Sequence, residues 1–130
     1  MTRDEILNMP AGIEMDALVA EKVMRWKRLK YFGGGPIADG WIGFWDGEWF
    51  KWIERPESDD EEASKPWSPS TNIAEAWAVE EKIKVLRLED KYVDFLYSLI
   101  EVNEFIYNKI FYVIHAPPIQ RCRAVLLAML

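Results

Sequence analysis

The stretch Trp41-Ile42-Gly43-Phe44-Trp45-Asp46-Gly47-Glu48-Trp49-Phe50-Lys51-Trp52-Ile53 decides how this chain folds. Aromatic and β-branched residues, which are typical of strands, lie on both sides of the dipeptide Asp46-Gly47. Asp-Gly favours a tight hairpin turn, because such a turn needs positive φ angles at both of its central positions and these two residues adopt them readily. The stretch therefore predicts a β-hairpin over about residues 41–53.

The four tryptophans of this hairpin cannot all face one core. Trp41 and Trp45 are separated by an even number of residues and are expected on the same face, whereas Trp49 and Trp52 are expected on opposite faces. At least one indole should therefore lie away from the core. It could stack on a planar ligand, pack on another subunit or cover the helix layer.

Helices are predicted on both sides of the hairpin. Thr2 and Glu5 have the spacing of a capping box, and an apolar repeat predicts an amphipathic helix over about residues 12–27. A second helix should begin after Asn72, and a third after Pro117 and Pro118. Residues 33–35, all glycine, are interpreted as a hinge or linker, and residues 55–66 as an acidic loop.

The segment from residue 85 to residue 116 fits both periodicities. Val93, Phe95, Tyr97 and Leu99 alternate as a strand does, yet neighbouring apolar residues also fit a helical face. Aromatic and β-branched enrichment at residues 105–107 and 110–114 favours strands, with turns near Asp90 and near Asn103 or Asn108. The element order predicts a single α+β domain over residues 1–130, a helix/antiparallel sheet/helix layered sandwich.

Composition limits the classes of partner. The chain carries 16 basic and 22 acidic residues, a net charge of -6, which disfavours binding to nucleic acid and to anionic membranes. No apolar stretch approaches the roughly 20 residues that span a bilayer. The opening Met1-Thr2-Arg3-Asp4-Glu5 lacks a secretory layout and Cys122 is the single cysteine, so we expect a cytoplasmic protein.

No catalytic or metal-binding set is recognisable. His115 is the sole histidine and has no partner at a defined spacing, and Cys122 falls on the apolar stripe of the last helix. Residues 33–35 lack the Lys-Ser or Lys-Thr ending of a P-loop. We therefore predict a protein that is not an enzyme and holds no metal or cofactor.

Binding residues are predicted instead. A helix start with free amide groups favours an anion, although simple capping is the alternative, and aromatic rings with a nearby arginine suit a nucleotide. The predicted ligand-binding residues are Trp45, Trp49, Trp67, Ser70, Thr71, Asn72 and Arg121.

Three stretches carry a resemblance to a known family. They are residues 1–24, the helix beginning Ser70-Thr71-Asn72-Ile73-Ala74-Glu75-Ala76-Trp77, and Ala116-Pro117 followed by Arg121-Cys122-Arg123-Ala124. Together they resemble the phage ABA-sandwich family of small phage and prophage proteins. The resemblance implies helix, sheet and helix layers and no established activity. His115 and Pro118 depart from the family pattern.

Two functions follow as hypotheses. The first is a phage-encoded, non-enzymatic binding protein that sequesters a nucleotide-derived immune signal in the host cytoplasm. The second is a protein–protein interaction module that binds a host or phage protein through an exposed aromatic face. A homo-oligomer is expected under either hypothesis, because so aromatic a chain has more apolar surface than its helices cover.

Overall fold

The computed structural model describes residues 1–55, 65–100 and 109–130, and confirms the α+β class. The helices are α1 (Arg3–Asn8), α2 (Ile13–Leu18, continued by a π-helical turn over Val19–Val23), α3 (Ile73–Val85), α4 (Glu89–Leu99), α5 (Lys109–Ile114) and α6 (Pro118–Ala128). The strands are β1 (Lys27–Arg28), β2 (Tyr31–Phe32), β3 (Gly35–Pro36), β4 (Ile42–Trp45) and β5 (Phe50–Glu54). None of the helices in the described ranges is both long and apolar enough to cross a bilayer.

The hairpin predicted over residues 41–53 is β4 and β5, which pair antiparallel with Trp45 opposite Phe50 and Gly43 opposite Trp52. Its turn differs from the predicted two-residue type, because residues 46–49 separate the strands and only Gly47 has a positive φ, of 104°. The Asp46 carboxylate accepts the backbone N–H groups of Glu48 and Trp49, at 2.7 Å each. This local cap makes the longer turn favourable.

Residues 33–35 are not the predicted hinge or linker. Gly33 and Gly34, with φ angles of 65° and 85°, form the turn of a second antiparallel hairpin between β2 and β3. Two successive positive φ angles are what a tight hairpin turn requires, and glycine supplies them at no steric cost. The sheet itself has the strand order β1-β4-β5.

One face of the sheet closes the core. Phe44 and Ile53 point to this face and are buried with apolar side chains of α2 and α6. α6 is the most enclosed helix, and α4 packs along it. The buried residues of α6 are Arg121, Cys122, Ala124, Val125, Leu126, Leu127 and Ala128. The helices predicted after Asn72 and after Pro117 are confirmed. The helix predicted over residues 12–27 is present but ends at Val23, since Arg25 has a positive φ of 58° and Lys27 belongs to β1.

The strands predicted within residues 85–114 are wrong wherever the structure describes that segment. α4 occupies Glu89–Leu99 and α5 occupies Lys109–Ile114. Tyr92 and Leu96, one helical turn apart, are both buried in the core, so burial on a helical face outweighs strand propensity. The predicted strand at residues 105–107, the turns near Asn103 or Asn108, and residues 56–64 of the acidic loop lie outside the described residues.

The other face of the sheet, here called the outer face, is formed by Gly43, Trp45, Phe50 and Trp52. Phe32 of the β2–β3 hairpin covers part of it, with ring centroids 5.1 Å from Phe50 and 5.0 Å from Trp52. The Trp41 ring packs on Trp52 and the Trp45 ring on Phe50, so Trp41 and Trp45 share this face as their spacing predicts.

Candidate functional site: an aromatic cleft beside strand β5

A cleft of about 410 Å³ lies beside β5, and we call it the aromatic cleft. Five aromatic residues line it: Phe32, Trp49, Phe50, Trp52 and Trp67. Four polar residues complete its wall: Lys51, Arg55, Lys65 and Glu75. The cleft is therefore largely aromatic with a charged rim, a composition typical of sites for small organic ligands.

Two of the rings are fixed and one is free to contact solvent. The backbone N–H of Trp67 donates to the carbonyl oxygen of Trp52 at 2.7 Å, which joins the segment before α3 to β5. Trp67 also packs against Trp26, with ring centroids 4.6 Å apart, and both Trp52 and Trp67 are buried. Trp49, by contrast, is 65% exposed at the hairpin turn. The cleft thus combines rigid rings with one accessible indole.

The charge of the cleft is opposite to that of the whole chain. Among the described lining residues, Lys51, Arg55 and Lys65 face a single carboxylate, Glu75, although the protein carries a net charge of -6. The Arg55 guanidinium lies 5.1 Å from the centroid of the Trp52 ring, close enough for a cation–π interaction. The Lys51 ammonium lies 4.0 Å from the Asp46 carboxylate. The local excess of positive charge favours an anionic group here.

Glu75 is held in place by the turn that precedes α3. Its Oε2 atom accepts the backbone N–H of Ser68 at 2.5 Å, while its own backbone N–H donates to the Asn72 side chain at 3.2 Å. A carboxylate in the first turn of a helix also interacts favourably with the helix dipole. Glu75 is consequently an oriented hydrogen-bond acceptor in the cleft wall.

Ser70 and Asn72, both predicted to bind ligand, have structural partners. The Ser70 N–H donates to Asp16 Oδ1 at 2.9 Å, and its hydroxyl accepts the N–H of Gly12 at 3.0 Å. Burial raises the pKa of Asp16, and the hydrogen bonds from Ser70 oppose that rise. Asn72 is the N-cap of α3. These contacts correspond to the capping alternative for the helix start.

Thr71 is exposed and lines a neighbouring cavity of about 290 Å³, which shares Trp52 and Arg55 with the aromatic cleft. Its hydroxyl donates to the carbonyl oxygen of Ser68 at 3.3 Å. Trp45 is exposed on the outer face, against Phe50, and does not line either cavity.

Arg121 is placed away from the aromatic cleft and is buried. Its guanidinium donates to the carbonyl oxygens of Val113, Ile114 and Ala116 at 2.6–2.9 Å and pairs with Glu80. It therefore closes the carboxyl end of α5 against α3 and α6. Of the predicted site residues, the structure brings only Trp49 and Trp67 together in the cleft.

Seven cleft residues were missed by reasoning from the sequence, and all of them except Phe32 left some signal. Phe50 and Trp52 belong to the aromatic run of the predicted hairpin. Lys51 lies between two aromatic residues of the hairpin, Arg55 and Lys65 flank the acidic run, and Glu75 is the capping-box position after Asn72. Phe32 left none, because its contact with Trp52 depends on how the second hairpin folds back.

The groups considered for catalysis have ordinary structural surroundings. Cys122 is buried in α6, and burial raises the pKa of its thiol, which keeps it protonated at neutral pH. His115 packs on Phe111, with ring centroids 4.3 Å apart. Within residues 1–55, 65–100 and 109–130, no three or more His, Cys, Asp or Glu side chains are grouped so that they could hold a metal ion.

The described residues form a small α+β protein with an aromatic cleft whose described wall carries three cations. The sequence model of the phage ABA sandwich domain matches residues 17–126, and the chain belongs to this family. The match spans the β4–β5 hairpin, which the resemblance noted above left out, and begins after residues 1–16, which that resemblance included. Comparison with curated proteins and with solved structures finds no match.

Proposed function

We propose that this protein is a non-enzymatic, phage- or prophage-encoded binding protein that holds a nucleotide-derived small molecule in the aromatic cleft. The observation that carries the proposal is the placement of five aromatic rings and three cations around one cavity. Indole and phenyl rings stack on a planar base, and lysine and arginine pair with phosphate. A nucleotide contains both groups.

The size of the cleft supports this ligand class. A volume of about 410 Å³ falls within the range of roughly 300–1,000 Å³ that is usual for small-molecule sites. The buried Trp52 and Trp67 supply a preformed wall, so little conformational entropy is lost when a ring docks against it. The exposed Trp49 can stack on the ligand from the solvent side.

The chemistry of the cleft supports binding over catalysis. Among the described residues, its ionisable side chains are two lysines, one arginine and one carboxylate that is already hydrogen-bonded to the Ser68 backbone. General acid–base catalysis uses a group poised beside the reacting atoms, most often a histidine, and neither His115 nor Cys122 lines the cleft.

Family membership supplies the biological setting for the proposal. A phage-encoded protein that binds without turnover lowers the free concentration of its ligand in proportion to its own abundance. We therefore assign to the cleft an anti-defence role: it sequesters a nucleotide-derived immune signal in the cytoplasm of the host.

Titration calorimetry tests the proposal with cyclic dinucleotides and cyclic ADP-ribose species. We expect at least one of these probes to bind, and Trp49→Ala to weaken its affinity by about tenfold or more, because base–aromatic stacking contributes roughly 1–3 kcal/mol. Trp77→Ala is the matched control, since Trp77 is 52% exposed on α3 but does not line the cleft. Absence of heat with every probe, or equal losses in both variants, contradicts the proposal.

A second candidate function is a protein–protein interaction through the hairpin end of the outer face. Trp45, Trp49 and Phe50 are all exposed there, and clustered exposed aromatic residues are typical anchors of interfaces. The partner is a host or phage protein, or a second copy of the chain in a homo-oligomer. Trp45→Ala separates the two functions, because Trp45 does not line the cleft. Loss of self-association in light scattering or of partner pull-down, with nucleotide titrations unchanged, favours the interface.

A further inference from the structure

We infer that Glu75 is the specificity-determining residue of the aromatic cleft and selects ligands that present two adjacent hydrogen-bond donors. This inference rests on the proposed function, since it names the class of nucleotide that the same cleft prefers. A carboxylate is an acceptor only, and among the described residues that line the cleft Glu75 is the one that carries a negative charge.

The geometry of Glu75 leaves acceptor capacity for a ligand. Oε2 accepts the Ser68 N–H and, at 3.5 Å, the Ser68 hydroxyl, whereas within the described part of the chain no hydrogen bond to Oε1 is present. Because the Ser68 contact and the first turn of α3 orient the side chain, its free lone pairs have a fixed position in the cleft wall. A preoriented acceptor discriminates between ligands more strongly than a mobile one.

The positions of the cations and of Glu75 indicate a ligand with an anionic group at one end and hydrogen-bond donors at the other. Lys51, Arg55 and Lys65 favour phosphate, whereas Glu75 repels it and favours donors. Guanine presents N1–H and the 2-amino group side by side, and both can donate to the unoccupied Oε1 of Glu75. Adenine presents an acceptor, N1, beside its amino group, and a carboxylate cannot satisfy that acceptor. The cis-diol of ribose is the other paired donor in a nucleotide.

Titration of the wild-type protein with GMP, IMP, AMP and 2′,3′-dideoxy-GMP tests the inference. If the base supplies the donors, we expect GMP to bind about tenfold or more tightly than AMP, the discrimination typical of a paired contact to a base edge, and if the ribose supplies them, GMP and AMP should bind alike. A similar loss with IMP, which lacks the 2-amino group, assigns the donors to the base. A similar loss with the dideoxy compound, while IMP binds as GMP does, assigns them to the ribose. Either pattern supports the role of Glu75.

The variant Glu75→Gln provides the second test. Its amide oxygen can still accept the Ser68 N–H, but its amide nitrogen is a donor that complements the N1 acceptor of adenine. We therefore expect the preference to reverse toward AMP if the base is read, and to weaken about tenfold for every ribonucleotide if the diol is read. Glu81→Gln is the matched control, because it removes the same charge from an exposed position on α3.

Failure of the inference and failure of the proposed function give different results. Equal affinities of the wild type for all four nucleotides, or a Glu75→Gln variant that matches Glu81→Gln, overturn the role of Glu75 and leave the cleft as a nucleotide site. Absence of binding by every nucleotide, including the cyclic species, overturns both.

Discussion

At the scale of single residues, the buried carboxyl of Asp16 joins α2 to the turn before α3. It is 3% exposed and accepts the Ser70 N–H, and that turn also orients Glu75. A buried carboxylate without a cationic partner is costly in its ionised form, and desolvation raises the pKa of Asp16 above the ordinary aspartate value. Asp16 does not line the cleft, but its ionisation affects the stability of the contact between α2 and the turn that orients Glu75.

The variant Asp16→Asn tests this link. Because the native state holds the Asp16 proton more tightly than the unfolded state does, the contribution of Asp16 to the free energy of unfolding falls as pH rises from about 4 through the raised native pKa. Asparagine does not titrate, and its side-chain oxygen can still accept the Ser70 N–H. In urea unfolding experiments, the free energy of unfolding of the variant should therefore increase relative to that of the wild type as the pH rises.

Asp94→Asn is the control, because Asp94 is an exposed aspartate on α4. A difference in unfolding free energy between Asp16→Asn and the wild type that stays constant across this pH range would contradict the assignment.

At the scale of elements, packing on the outer face depends on the absence of a side chain at Gly43 in β4. A Cβ atom there would lie 2.7 Å from two atoms of the Trp52 ring and 3.0 Å from Leu29. Trp52 also lines the aromatic cleft and packs against Phe32. The position of this cleft wall is therefore set by close approach of the Trp52 ring to the β4 backbone.

The substitution Gly43→Ala should destabilise the protein by about 1–3 kcal/mol, the usual effect of overpacking, and should alter the near-ultraviolet circular dichroism of its indoles. Gly35→Ala is the control, because a Cβ at Gly35 meets nothing within 4 Å and its φ is not positive. If both variants unfold at the wild-type denaturant midpoint, the Trp52 ring is not held as described.

The elements differ in how far the sequence predicts them. Asp46-Gly47 between aromatic runs is enough to predict the β4–β5 hairpin, and Asn72 and Pro118 mark true helix starts. α4 and α5 were predicted as strands because strand propensity is a local property, while their helical state depends on contacts distant in sequence. One such contact is the packing of α4 along α6.

The candidate site was less predictable than the fold. The tryptophan surplus correctly indicated indoles away from the core, and Trp49 and Trp67 do line the cleft. Arg121 was assigned to the ligand because a buried arginine and an exposed one look alike in a sequence. The basic cleft residues were hidden in a chain of net negative charge, since only folding brings Lys51 close to Lys65.

At the scale of the whole molecule, aromatic residues contribute both to the core and to the cleft. One face of the sheet and the helices α2, α4 and α6 form the core, while the outer face, the β2–β3 hairpin and the segment before α3 form the cleft. Among the described residues of the cleft, three cations lie beside five aromatic rings in a protein whose net charge is -6. Capture of a planar anion is the central claim of this account.

The most direct measurement of that claim is the nuclear magnetic resonance spectrum of the seven indole N–H groups during titration with GMP. If the cleft captures a planar anion, the resonances of Trp49, Trp52 and Trp67 shift with a common saturation curve, while that of Trp77, outside the cleft, stays unchanged. Assignment by single Trp→Phe variants identifies each signal. Saturable shifts confined to Trp77, or no shift in the three cleft indoles, would contradict this claim.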